Sequence, residues 1–288
     1  MERFVDAGWI ARVLAILGVA VAVGVGVVAP FLPGAYDPLS VSFSTTLQAL
    51  GLAGVVLAPL AAGWLVHEVV VSRRLRRGLA AKSRGRDLRI GTLVGIAALL
   101  VLVGAGGLLA GSVVTALLAA MALIGTVAML CRPPGPVPWL AVVVLVITGS
   151  SLAGQLVAVH FVDGARETAI IASGGLIADI EAYANANGRY PESLQAVWHD
   201  YSTGLIGTAP VEYARTASGY QIAFEQPHPL IDDFGAREMV VYSSSGAATM
   251  ISHDSWILLF PASQLVESPG WFARALLDTP GWSSFRFD

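Results

Sequence analysis

His253 and Asp254 stand in SSSGAATMISHDSW, where nearby serines suggest acyl transfer by a hydroxyl that a histidine activates. The pattern does not carry that chemistry. Neighbours in an extended chain point to opposite faces, so a triad would need partners from elsewhere, and no Gly-x-Ser-x-Gly elbow occurs. The other polar candidates read as structural. His199 and Asp200 close a predicted short helix, where a histidine supplies a favourable C-terminal charge, and His228, between Pro227 and Pro229, reads as loop surface. His67 and Glu68 end an apolar run beside an arginine-rich loop, which favours interfacial placement over a proton or ion relay. Arg12 is near enough to the start of its run to snorkel. Cys131 is the only cysteine, so no intrachain disulfide and no multi-cysteine zinc or iron–sulfur site can form. Phosphate-binding, dinucleotide, zinc-protease and paired-cysteine motifs are absent. The chain is therefore expected not to be an enzyme, and no catalytic, cofactor-binding or metal residue is assigned.

The elements that would have to position such groups are mostly apolar. At 288 residues, 55% hydrophobic and 13% charged, with mean hydropathy +0.69, the chain has more apolar surface than a soluble domain can bury, and a bilayer must supply the missing solvent. Charge is divided unevenly. Residues 1–158 carry 11 basic and 5 acidic side chains, net +6, and residues 159–288 carry 6 and 15, net −9. The Ala-, Gly-, Val- and Arg-rich composition with the single Lys82 suggests a GC-rich bacterial genome.

A span needs roughly 20 predominantly apolar residues to cross the hydrocarbon, since every backbone amide must be satisfied internally. The candidate segments run from Trp9 to Phe31, Leu47 to Val71, Ile90 to Leu109, Val113 to Leu130 and Trp139 to Val159. The first run is too long for the centre of a signal peptide and reads as a retained helix. Only the small-residue stretch around Gly104 to Ser112 divides the third from the fourth, which leaves a tight hairpin or one long irregular unit, and so five spans or four. Pro59 with Gly63, and the pair Gly91 and Gly95, read as packing positions.

Orientation follows from the short loops, because Lys and Arg near span ends stay cytoplasmic. Arg73, Arg74, Arg76, Arg77, Lys82, Arg84, Arg86 and Arg89 lie in SRRLRRGLAAKSRGRDLR, whereas the loop from Pro33 to Thr46 has no basic residue and one acid, Asp37. The second loop is placed inside and the first outside. Arg3, Arg12 and Arg132 agree, and five spans then carry the C-terminus across. The basic cluster also attracts anionic lipid headgroups. It is short, juxtamembrane and without interleaved aromatics, so no nucleic acid is expected as a partner.

Beyond Val159 the composition turns to mixed polar and aromatic sequence with turn signals. From Asp163 to Asn187, Ile170, Gly174, Ile177, Ile180 or Glu181, and Ala184 follow helical spacing, and Asn187-Gly188 supplies a stop. No proline separates this helix from the fifth span, so one long helix is predicted to leave the membrane, with Gly164 the place for any bend. Pro191 opens a second short helix, PESLQAVWHDY. VEYAR and YQIAFE flank a turn at Ser218 and Gly219, and REMVVYSS and ATMIS flank a turn at Ser245 and Gly246, predicting two antiparallel hairpins. The aromatic tail, with Trp256, Phe260, Trp271, Phe272, Trp282, Phe285 and Phe287, either packs over the sheet or sits at the membrane interface.

The run AIIASGGLIADIEAYANANGRYPESLQAVWHDY, followed by VEYARTASGYQIAFE, resembles the periplasmic part of type II secretion pseudopilins and related type IV pilin-like proteins. Matching positions are Ile180, Tyr183, Asn187, Gly188, Tyr190, Pro191, Leu194, Tyr213 and Tyr220, over residues 139–225. The resemblance implies a membrane helix continuing into an amphipathic helix with an antiparallel sheet packed on it, and a role in protein contacts. Pilin-type processing is not expected, because the corresponding helix is the fifth span and lacks the leader, Gly-Phe and Glu signature. Pseudopilins often hold calcium in a late loop, where Asp232, Asp233 and Asp254 are the carboxylates here; they have no alignable spacing, and neighbouring loop acids are ordinarily solvated.

The expected architecture is a polytopic α-helical membrane protein with a C-terminal α+β ectodomain. Residues 1–138 hold four transmembrane helices, 139–160 the fifth, and 161–288 the extracytoplasmic domain. The expected function is a non-enzymatic membrane-anchored interaction protein in cell-envelope assembly or secretion, partnered by the lipid bilayer and by pilin-like or other envelope proteins, without cofactors. The alternative is a small membrane transporter or envelope sensor with an extracytoplasmic ligand module.

Overall fold

The computed structural model describes residues 7–78, 85–109, 113–130, 139–197, 201–216, 218–232, 237–246 and 272–287. Five helices come first: α1 Ala7–Val28, α2 Pro38–Arg76, α3 Gly85–Leu109, α4 Val113–Leu130 and α5 Trp139–Asn187. Among the described residues, Gly8–Phe31, Pro38–Arg74 and Ala141–Asn187 are long and apolar enough to cross a membrane, and α3 contributes the shorter apolar stretch Ile90–Ala105. The chain divides into two compact units, residues 1–28 with 42–156, and residues 29–41 with 157–288.

The start of α2 lies well before its apolar run. Asp37 caps it, its Oδ1 accepting from Leu39 N at 3.0 Å, and Pro38 takes the first helical position, where a missing N–H costs nothing. The added turns carry Ser42, Ser44, Thr45, Thr46 and Gln48, which lowers hydropathy there without ending the helix. Pro59 lies inside α2.

In the first unit small residues bring helices together. A Cβ on Gly51 would collide with Ser151 Oγ, and one on Gly54 with Thr148 Oγ1, so α2 and α5 approach at a separation only glycine allows. Ala61, Trp64 and Ala141 form a buried cluster beside Val144 and Leu145, and the Arg12 guanidinium lies 5.6 Å from the Trp139 ring centre. Of the pair Gly91 and Gly95, a Cβ on Gly95 would lie 2.6 Å from Leu57 of α2, whereas Gly91 faces open space.

The second unit contains the C-terminal half of α5 and a five-stranded antiparallel sheet. Its strands are β1 Glu212–Arg215, β2 Tyr220–Gln226, β3 Arg237–Ser243, β4 Phe272–Leu276 and β5 Trp282–Phe287, in the order β1-β2-β3-β5-β4. Val162, Ala165, Ala169, Ile170, Ser173, Leu176 and Ile180 are buried at spacings of one, three and four along α5. Gly188, at φ +68, ends the helix and donates its N–H to Ala184 O at 2.8 Å.

Tyr220, Ile222, Phe224, Glu238, Val240, Tyr242, Trp282 and Ser284 share one face of the sheet by register and alternation. The opposite row, Ala223, Met239, Val241 and Phe285, is buried as well. Two expectations are corrected here. Both neighbours of β3 are β2 and β5, so REMVVYS does not form a hairpin with ATMIS, which lies outside the described residues; the aromatic tail supplies the partner, with Tyr242 opposite Trp282. Among the described residues of the segment after Pro191, the helical part is a 3-10 turn, Leu194–Ala196, bounded by extended Ser193 and Val197, while residues 198–200 lie outside the described residues.

Candidate functional site

The described residue with the strongest chemical individuality is Glu238, a fully buried carboxylate on β3. An unpaired charge there would be prohibitively costly, so the fold must supply partners. Arg166, on the sheet-facing side of α5, places Nη1 2.8 Å from Glu238 Oε1. Ser284, on the adjoining β5, donates its hydroxyl to the same oxygen. His228 sets Nε2 2.5 Å from Glu238 Oε2, and its Nδ1 lies 3.0 Å from Asp232 Oδ2. Arg286 Nη2 stands 3.9 Å from Oε2, and Arg166 also pairs with the exposed Asp163. Helix, two strands and the turn at 227–232 thus meet on one carboxylate.

Burial by itself would raise the Glu238 pKa, but the hydrogen bonds from His228 and Ser284, with the Arg166 charge, outweigh it and hold the carboxyl at about 2. Burial would lower His228, but its hydrogen bonds to Glu238 and Asp232 outweigh that and raise it above 6.5. His228 therefore sits protonated between two carboxylates in mildly acidic conditions. The reading of His228 as loop surface is wrong: its side chain is 2% exposed, and its ring meets Glu238 and Asp232.

Ser, His and two acids are assembled, yet not as a nucleophile and its base. Ser284 donates to Glu238 rather than to the histidine, and Ser284 and Glu238 are buried from any substrate. The arrangement stores charge and clamps α5 to the sheet. Sequence reasoning passed over Glu238 and Arg166; a charged residue in register with Val240 and Tyr242, and an arginine beside Ala165 and Ala169, were the available signals.

Of the other sequence candidates, Asp232 joins this cluster, whereas Asp233, Asp254, His253, His199, Asp200 and Cys131 lie outside the described residues. No group of three or more His, Cys, Asp or Glu among the described residues is placed to hold a metal ion. His67 and Glu68 are half-buried on α2. Tyr190, Pro191, Tyr213 and Tyr220, four of the positions quoted for the pilin-like resemblance, lie together. Tyr220 is enclosed by Tyr190, Tyr213 and Tyr242, with ring centres 5.0, 5.9 and 5.9 Å away. Tyr213 OH donates to Pro191 O at 2.7 Å, and burial pushes that phenol up to about 12.

A polar seam inside the first unit was also missed. Ser44 Oγ donates to Val27 O at 2.8 Å, Gln48 Nε2 to Ser44 Oγ at 3.0 Å, and Ser151 Oγ to Leu47 O at 2.8 Å. Gln155 Nε2 lies 3.4 Å from both Gln48 O and Ser151 Oγ. Buried side chains of α2 and α5, together with a carbonyl of α1, form an interhelical hydrogen-bonded network of the kind that holds apolar helices together. Comparison of the chain with protein-family models, with curated proteins and with solved structures gives no match.

Proposed function

We propose that this protein spans the membrane five times and displays a pilin-like α+β domain outside the cytoplasm, where the domain makes protein contacts in cell-envelope assembly or secretion. The observation that carries the reading is α5, one 49-residue helix whose apolar first half continues, without interruption, into a face packed on an antiparallel sheet. α3 and α4 coincide with the third and fourth apolar runs, which supports reading them as the two further spans beside the three helices long enough to cross. Residues 29–41 belong to the same compact unit as 157–288, which supports reading the α1–α2 loop and the domain as lying on one side of the bilayer. The eight basic residues between positions 73 and 89 make the other side cytoplasmic.

The test uses the lone native thiol. Cys131→Ser removes it and Ala184→Cys places a new one on the extramembrane part of α5; an impermeant maleimide crosslinker is then applied to intact cells and captured proteins are identified. Labelling with capture of this chain or of pilin-like subunits supports the reading, and labelling only after lysis refutes the topology. A second reading, a small transporter or envelope sensor, draws on an apolar cavity of about 310 Å³ between α2, α3, α4 and α5, lined by Leu50, Leu57, Ile96, Thr126 and Thr148. Labelling of intact cells without any protein partner favours it.

A further inference from the structure

The α1–α2 loop is woven into the C-terminal unit through its backbone. Pro33 and Leu205 form an antiparallel bridge. Around it Gly34 N donates to Gly204 O at 2.9 Å, Asp37 N to Ile206 O at 2.8 Å, Ile206 N to Leu32 O at 3.1 Å and Gly207 N to Pro30 O at 2.9 Å. Each segment donates twice, and the bonds at Leu32–Ile206 and Gly34–Gly204 flank the Pro33–Leu205 pair as in a short antiparallel ladder. The approach is too close for ordinary side chains: a Cβ on Gly207 would lie 2.6 Å from Pro30 O and 2.7 Å from Pro30 Cα, rigid backbone that cannot swing aside. Pro30, Phe31, Leu205 and Gly207 are all buried.

From this geometry we infer that residues 29–37 are a strap, a constitutive part of the C-terminal domain that is hydrogen-bonded to the domain's 204–207 segment and continuous in the chain with α1 and α2. The domain is then joined to the apolar helices by three chain connections, at residues 28–29, 41–42 and 156–157, instead of the single one that an ectodomain following a last span would have. Any rearrangement of the domain on meeting a partner is delivered to α1 and α2 as well as to α5. Four backbone hydrogen bonds, anchored where Pro30 and Gly207 are buried, transmit such a displacement as a two-state event, made or broken, rather than as gradual bending. The inference deepens the reading above and rests on it for the statement that α1 and α2 cross a bilayer.

The test is hydrogen exchange of the full chain in nanodiscs, read on peptides covering 30–37, 204–207, β2 and β3. Gly207→Ala is expected to speed exchange across 30–37 by on the order of tenfold or more, with β2 and β3 still protected. Glu238→Gln, which loosens the domain from a distant point, is expected to speed exchange in 30–37 by the same factor as in β2 and β3. Unchanged exchange of 30–37 in Gly207→Ala, or in Glu238→Gln while β2 and β3 open, overturns the strap. A chain carrying Cys131→Ser, Pro33→Cys and Leu205→Cys is a second readout, because paired positions of an antiparallel bridge suit a disulfide. Oxidation in isolated membranes should close it, and a folded chain with both thiols free overturns the strap. Impermeant labelling at Ala184→Cys in intact cells separates the two claims, since its failure removes the topology and leaves the strap result standing.

Discussion

Replacing Glu238 by Gln removes one buried negative charge while keeping nearly the same shape and a carbonyl oxygen for Ser284 and Arg166 to reach. A carboxyl held at about 2 instead of 4.5 is stabilised in its ionised form by ~3 kcal/mol, at 1.36 kcal/mol per pKa unit. Among the described residues, removal leaves the exposed Asp163 as the remaining ion-pair partner of Arg166 and Asp232 as that of His228. We expect Glu238→Gln to cost the domain about 2–4 kcal/mol, or roughly 6–12 °C in melting temperature, near pH 6. The pH dependence gives a sharper signature. Because the Glu238 pKa is depressed, its contribution is present above about 4.5 and is lost as pH falls towards about 2. Because the His228 pKa is raised, its contribution is complete below 6.5 and is lost as pH rises through the folded value above 6.5. The two describe one shared interaction and do not add. The parent domain should therefore be most stable between about pH 4.5 and 6.5 and weaken on the alkaline side, and Glu238→Gln should flatten that alkaline limb. Thermal unfolding in nanodiscs, followed by the near-ultraviolet dichroism of the Tyr220, Tyr242 and Trp282 cluster, measures both. A variant within about 0.5 kcal/mol of the parent, with the same alkaline slope, would refute the clamp.

Gly54→Val should be severely destabilising in detergent, since its side chain meets Thr148 across the α2–α5 contact, whereas Ser151→Ala should cost only about 0.6–1.7 kcal/mol; melting temperatures of the two solubilised variants check the order. Gly188→Ala places a Cβ in open space but at φ +68, so the loss of about 1 kcal/mol is purely conformational and should appear as fraying of the α5 end in hydrogen exchange. Alkaline titration of phenolate absorbance should fall short of the full increment for seven tyrosines near pH 10, because Tyr190, Tyr213 and Tyr220 ionise later, and Tyr213→Phe should leave the early increment unchanged. An early increment equal to seven phenols would contradict the enclosed aromatic cluster.

The apolar helices, the uninterrupted passage of α5 beyond Val159, its stop at Asn187-Gly188 and the β1–β2 hairpin were all legible in the sequence. Each is decided within about twenty residues, by backbone solvation, by helical periodicity or by the φ freedom of one glycine, so local composition suffices. Other features needed the fold. β5 displaced the expected ATMIS strand beside β3 because Trp282 and Phe285 are buried in that register, a choice made between segments some forty residues apart. Glu238 and Arg166, 72 positions apart, are ordinary charged residues until α5 and β3 bring them together around a buried carboxylate. Ser151 reaches Leu47 across 104 positions, and Pro30 meets Gly207 across the greater part of the chain. Hydropathy and periodicity report how a residue meets its solvent. Which buried polar group satisfies which other one is a property of the tertiary structure, because only there does desolvation make the partner obligatory.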